Sequence, residues 1–341
     1  VTLRKRPFLW NSVFLALALI ISIGVGPVNI APDTLVRILL QQVPGLGGIV
    51  DWPASYPAIV LQIRVPHTFL MVITGSALAG SGAAYQGVFR NPLADPFVIG
   101  VASGAGLGAV FALVIDWPSD WLGLYTIPAA AFIGAVLTVL VVYSLSRMGR
   151  SLPTITLILA GVAVSSFATA LTSYLMLQSE DELRRAISWM LGGGILGGWP
   201  PVIAALPYVA LGLLILILSG HPLNVLQYGD EQAQQLGLNV SRARTIIITG
   251  ASLATAAAVA FTGIIGFIGL IVPHVARLIW GPDHRRLVPI SIMAGATLLL
   301  VADTLARVVV EPQVLPVGIV TALAGAPFFL WILRRERMEL Y

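Results

Sequence analysis

Lysine decides the first question of chemistry in this chain. Gripping a nucleotide in a phosphate loop takes a Gly-rich turn followed by Lys and then Ser or Thr. The one lysine, Lys5, stands in Arg4-Lys5-Arg6-Pro7 and cannot serve. Cysteine is absent, which removes disulfides, thiolate metal sites and a Cys nucleophile. His67, His221, His274 and His284 are scattered, and no two stand at i, i+4 beside an acid, so no helical metal site is expected. No Ser/His/Asp constellation lies within the apolar stretches. What remains is the chemistry of charge and hydrogen bonding at four places. These are the polar run Asp230 to Gly237, the loop Arg90 to Pro96, the arginines Arg64 and Arg307, and the hydroxyls Ser165, Thr169 and Thr172 with Ser173. No cofactor and no covalent step is expected.

The elements that must carry these residues are apolar helices. Hydrophobic residues make up 57% of the 341 residues and charged ones 10%, with mean hydropathy +0.93. A soluble domain carries about 25% charged residues. The chain therefore reads as an all-α polytopic integral membrane protein. A spanning helix takes about 20 apolar residues, and ten candidates follow: 8–28, 58–88, 97–115, 124–146, 153–177, 200–219, 243–263, 266–280, 287–309 and 317–333. Glycine and alanine between 64 and 108 permit close helix packing in lipid. The loop at 90–96 needs partners for its backbone outside the hydrocarbon, so it reads as a polar turn between two crossings. The run 8–28 follows basic residues as a signal peptide would. It is long enough to span and no Ala-x-Ala site ends it, so it reads as the first crossing. The chain, 1–341, reads as one transmembrane domain without internal repeats.

Arginine placement orients the bundle. With the N-terminus inside, Arg4, Lys5, Arg6, Arg90, Arg147, Arg150, Arg242, Arg244, Arg277, Arg285, Arg286, Arg334, Arg335 and Arg337 lie inside, 14 of the 19 basic residues. Arg37, Arg64, Arg184, Arg185 and Arg307 lie outside with Asp33, Asp51, Asp116, Asp120, Glu180, Asp181, Glu182 and Glu311. Both termini are then cytoplasmic. The formal charge of +4 reflects this topology rather than affinity for nucleic acid.

Each polar group admits a plain reading and a functional one. The run Asp230 to Gly237 is either a solvated connector or a short docking helix stopped by Gly237, with Ala233 and Leu236 at i, i+3 facing a partner. Arg64 and Arg307 either snorkel to headgroups or dock a partner, and Arg307 can also pair with Asp303 at i, i+4. The loop Arg90-Asn91-Pro92-Leu93 reads as a rigid turn with a topology-setting arginine. Ser165, Thr169 and Thr172 share a helix face, which either packs against neighbours or lines a path. Gradient-driven transport wants ionisable residues near mid-membrane, and the spans hold almost none.

Several segments together resemble one family. They are residues 64–108, Leu157 to Val162, WMLGGGILGGW at 189–199, LNVLQYGDEQAQQLGLNV at 223–240, and GFIGLIVPHVARLIWGPDHRRLVP followed by ADTLAR within 263–307. Pro316 to Thr321 and Gly325 to Phe329 complete the set. The pattern is similar to the permease family of ABC importers for iron–siderophores, haem and vitamin B12. The resemblance implies a ten-helix subunit in a bacterial or archaeal cytoplasmic membrane. It implies a homodimer, or a heterodimer with a similar permease. Two ATP-binding cassette ATPase subunits would sit below and an extracytoplasmic substrate-binding protein above. Gly229, Asp230, Glu231, Ala233, Leu236 and Gly237 then couple to the ATPase. Arg64, His67 and Arg307 dock the binding protein, and Asn91, Leu93, Thr154, Ser165, Thr169 and Thr172 form the gate and path. Two departures stand out. His67 replaces a second arginine, and Asp230 stands where Glu is usual.

Overall fold

Apolar runs form the helices, and their ends are set by local chemistry. In chain order these are α1 (Pro7–Gly24), α2 (Pro32–Leu40), α3 (Ser55–Phe89), α4 (Val101–Val114), α5 (Thr126–Ser146), α6 (Thr154–Leu177), α7 (Glu180–Ser188), α8 (Pro200–Leu218), α9 (Gly220–Leu226), α10 (Asp230–Gln235), α11 (Val240–Thr262), α12 (Ile268–Trp280), α13 (His284–Val308) and α14 (Val317–Met338). Proline opens α1, α2 and α8, where its missing N–H costs nothing. Asn239 caps α11 by accepting from the Arg242 amide at 3.0 Å, and Asp283 caps α13 by accepting from the Arg285 amide at 3.0 Å. This computed structural model describes residues 6–26, 28, 30–44, 50–115, 123–147, 152–178, 180–194, 197–310 and 313–338. Arg4, Lys5, Asp116, Asp120, Arg150 and Glu311 lie outside the described residues, as do the side chains of Glu180, Asp181, Arg335 and Arg337.

All ten apolar runs expected from the sequence are helical, and no strand occurs among the described residues. Seven helices are long and apolar enough to cross a membrane: α1, α3, α5, α6, α8, α11 and α13. The other three runs give shorter apolar helices: α4, α12 and the Val317–Ile332 part of α14. This is a membrane protein whose outer surface is apolar. On α1 Phe14, Leu17 and Ile20 are exposed, and on α6 Leu159, Phe167 and Leu177. Surface of that kind is stable only where lipid or a partner covers it.

The core is built around α3, which is buried along nearly all its length from Leu70 to Phe89. Its small residues let neighbours approach to backbone contact. A Cβ on Gly82 would overlap the Gly269 carbonyl of α12, and a Cβ on Gly75 would overlap the Gly295 carbonyl of α13. A π-helical segment, Ile59–Arg64, lies inside α3, and the Trp199 indole donates to the Leu61 carbonyl within it at 3.1 Å.

Two expectations are corrected. The stretch after α3 is not a simple turn outside the bundle. Pro96 packs on Gly269 at the level of the Leu78 carbonyl, eleven residues back along α3, about 16 Å from that helix's end. The chain from Ala94 to Gly100 therefore climbs back between the helices, and Gly161 of α6 admits the Val98 carbonyl. Buried in protein, such irregular backbone is tolerated at membrane depth. It also explains why α4 begins at Val101 rather than at 97 and is only 14 residues long. The segment 178–199, expected as a loop, is largely α7 followed by a π-helical turn, Trp189–Gly193. Gly192 has φ 82° there and lies against the Gly318 backbone.

Candidate functional site

The expected path residues come together. Ser165, Thr169 and Thr172 of α6 face Phe97 and Ser103 across a space of about 310 Å³ that Met190 and Ile264 close on another side. A wider, more open space of about 610 Å³ adjoins it, lined by Phe97, Val162, Ser166 and Ser173. The wall is weakly polar. Ser166, Thr172 and Ser173 donate to carbonyls four residues back, at 2.9, 2.8 and 3.0 Å, so their bonds are used within the helix. Among the described residues no cluster of His, Cys, Asp or Glu could hold a metal ion. A separate groove of about 440 Å³ between α12, α13 and α14 is lined by Ile271, Val275, Leu298, Val301 and Phe328, and offers a polar solute little to bond.

At the arginine-rich end lie Asn91, just past the end of α3, and Thr154, at the start of α6. The Asn91 side chain accepts from the Leu93 amide at 2.9 Å and stiffens the turn. Arg90 sits in left-handed backbone, φ 51°, where the helix ends. Thr154 is the first residue of α6. The segment α9–α10 is tied to the end of α3 and, through Arg244, to Leu152 just before α6. Gly229 at φ 99° and Gly237 at φ 85° turn the chain on either side of α10, backbone that a side chain would strain. Asp230 accepts from Arg244 Nη2 at 3.0 and 3.2 Å and lies 3.6 Å from Arg90 Nη2. Gln227 donates to the Gly87 carbonyl at 2.8 Å. Asn224 donates to Asp283 at 2.6 Å, and that bond, with the Arg285 amide and the Arg285 and Arg286 charges, holds the Asp283 carboxyl below the usual range.

The pairing of Ala233 with Leu236 is corrected. Ala233 is fully buried within this chain, whereas Leu236 is 66% exposed. Leu236 follows Gln235 as the C-cap and still donates its amide to the Gln232 carbonyl at 3.0 Å, but its side chain projects outward while Ala233 packs within the chain. Glu231 and Leu236 are exposed, together with Tyr228, which the sequence reading passed over.

At the opposite end Arg64, His67 and Arg307 are drawn together by α1. Arg64 is 5% exposed and donates to the carbonyls of Ile23, Gly24 and Val28. Arg307 is 8% exposed and donates to the Ser22 and Val25 carbonyls at 3.2 and 2.9 Å. Asp303 joins them, 3.1 Å from Arg307 Nε and 2.9 Å from His67 Nε2. These side chains close the open carbonyls at the end of α1. Their charged atoms point into the protein, which leaves little of either guanidinium at the surface. The Asp303–Arg307 pair was visible as an i, i+4 spacing. The His67–Asp303 contact spans 236 residues and had no local signal.

The sequence pattern of the FecCD transport family matches residues 14–335. A cobalamin import system permease protein, BtuC of Halobacterium salinarum, is 41% identical over 98% of this chain and 98% of its own length. A hemin transport system permease protein, HmuU of Yersinia pestis, is 41% identical over 82% of this chain and 84% of its own. A solved structure described as an inward-facing conformation of a metal-chelate type ABC transporter superposes with TM-score 0.81 at 28% identity, covering 97% of this chain and 99% of that one.

Proposed function

Because the chain belongs to the FecCD transport family, we propose that it is the membrane-spanning subunit of an ATP-driven importer whose cargo is a metal chelate. A ferric siderophore, haem or a corrinoid fits that class, and the names of the cobalamin and hemin relatives support it. The chain is a transport permease of ten crossings, with α4, α12 and α14 completing the set, and both termini are cytoplasmic. It lies in the inner membrane of a bacterium or archaeon. As one transmembrane domain it forms half of the path. A second copy, or a similar permease, supplies the other half across the hydroxyl wall of α6.

ATP hydrolysis belongs to cassette subunits docked beneath α9–α10, because this chain has no lysine placed to hold a nucleotide. The substrate-binding protein docks at the opposite end. There Arg64, His67 and Arg307 act by fixing the end of α1, and exposed neighbours make the contact itself. Transport proceeds by alternating access: the ATPases close, α9–α10 moves, and the mouths at Asn91–Leu93 and Thr154 change their opening. Gradient-driven transport is the weaker reading. Asp303, the carboxylate within a described long span, is occupied by Arg307 and His67.

One observation supports this proposal: Tyr228 and Leu236, on either side of α10, are exposed on a segment linked to Arg90 at the end of α3 and, through Arg244, to Leu152 before α6. Leu236→Glu tests it. The variant inserts into the membrane as the parent does but no longer co-purifies with the ATPase subunits. An unchanged complex would contradict the docking assignment.

A further inference from the structure

At the arginine-rich end one carboxylate, that of Asp230, meets two arginines from different helices. Asp230 opens α10. It is bound through both oxygens by Nη2 of Arg244, at 3.0 and 3.2 Å, and its Oδ1 lies 3.6 Å from Nη2 of Arg90. Arg244 belongs to α11 and its side chain is 2% exposed. Its Nη1 donates to the Leu152 carbonyl at 2.7 Å, two residues before α6 begins. Arg90 ends α3 and starts the climbing stretch that carries Phe97 to the path. One side chain therefore touches, directly or through Arg244, the roots of both walls of the path.

The mechanical argument follows from how little else holds α10. It is six residues long and only Ala233 within it is buried. Packing alone would let it slide. The two ionic links also differ in strength. Arg244 is desolvated, and leaving its charge without Asp230 is costly, so that arm must follow α10 wherever it goes. The Arg90 pair is longer and its partners are 43% and 39% exposed, so water can replace it. The first arm is a permanent tie to α6, and the second is one that can part. Arg244 Nε is buried without an acceptor, a donor that another arrangement of this loop could satisfy.

We propose that Asp230 is the positioning residue that carries motion of α9–α10 to both walls of the path, dragging the start of α6 through Arg244 while its link to Arg90 opens and closes. The proposal rests on the reading of α10 as the ATPase-docking segment. It predicts a specific defect, loss of coupling, as distinct from loss of assembly or of cargo binding.

The test uses the assembled transporter, with ATPase subunits and binding protein, in proteoliposomes. The quantity read is cargo transported per ATP hydrolysed. Asp230→Asn keeps an acceptor for Arg244, so the fold is retained, but it removes the charge both arms need. The ratio falls on the order of tenfold. Asp230→Glu, which restores the charge, recovers most of it. Arg90→Gln lowers the ratio in the same direction, and the double variant with Asp230→Asn is no worse than the lower single, as expected of groups in one link. Spin labels at Leu93 and at the exposed Gln234 of α10 change separation with nucleotide in the parent, and the response of Leu93 is lost in Asp230→Asn. Transport and hydrolysis falling by one common factor, with the Leu93 response intact, would overturn the proposal. If Asp230→Asn fails to assemble, the ratio in Arg90→Gln decides by the same criterion. A parent complex that shows no ATP-dependent transport would instead refute the importer reading.

Discussion

Arg64 and Arg307 show how one residue type can answer two questions at once. By sequence they are lone positive charges at the outer ends of apolar helices, which suits docking or snorkelling equally well. In the fold they close the carbonyl end of α1, and Asp303 balances Arg307 within the same cluster. The demand for their charge comes from a helix 40 residues away in the one case and 282 in the other. No local pattern reports it. The consequence can be measured as stability. The side chains of Asp303 and Arg307 are 4% and 9% exposed, so Asp303→Ala leaves a buried guanidinium without its carboxylate. The expected loss is about 3–5 kcal/mol, read as earlier thermal unfolding of the purified protein in detergent. A variant as stable as the parent would show that α1 is held by something else. Leu236 and Ala233 teach a related lesson. Their i, i+3 spacing is real, but the chain's own packing covers Ala233 and leaves Leu236 exposed, which spacing alone does not report.

At the scale of elements, the ten apolar runs were legible because hydrophobic length is a strong signal and the membrane enforces it. Their lengths were less so. The sequence places the third run from 97, whereas α4 starts at Val101, because the preceding stretch gives up helical bonds to pack against Gly161 and Gly269. That climb depends on contacts with α6 and α12, segments distant in sequence. It is nevertheless what puts Phe97 beside Ser165 and Thr169. The small residues of α3 hold this arrangement from the other side. Gly82→Leu would drive a side chain into the Gly269 backbone, which has no rotamer to yield. A cost at the upper end of about 1–3 kcal/mol follows, with loss of folded yield. Gly24→Ala, which meets nothing within 4 Å, serves as the control and keeps its yield. Equal yields for the two variants would mean that α3 and α12 are not in backbone contact.

Across the whole molecule, function divides between two ends and the wall that joins them. One end carries the exposed Tyr228 and Leu236, the other fixes α1 by buried charge, and on the wall between Ser166, Thr172 and Ser173 are bonded to their own helix. The absence of a usable lysine and of a cysteine was plain in the sequence and removed nucleotide binding by a phosphate loop and thiol chemistry at once. The match over residues 14–335 places the chain in a known family of transport permeases. The sequence could not show that Asp230 is linked to Arg90 at the end of α3 and, through Arg244, to Leu152 before α6, since that depends on three helices meeting. The central claim is that this chain is a conduit driven by a partner's ATP. Its most direct test is chelate uptake into proteoliposomes containing the chain with its ATPase subunits and loaded binding protein. The account predicts accumulation that requires ATP and stops when the ATPase is left out. Accumulation driven by an ion gradient, with the chain alone in the membrane, would contradict it.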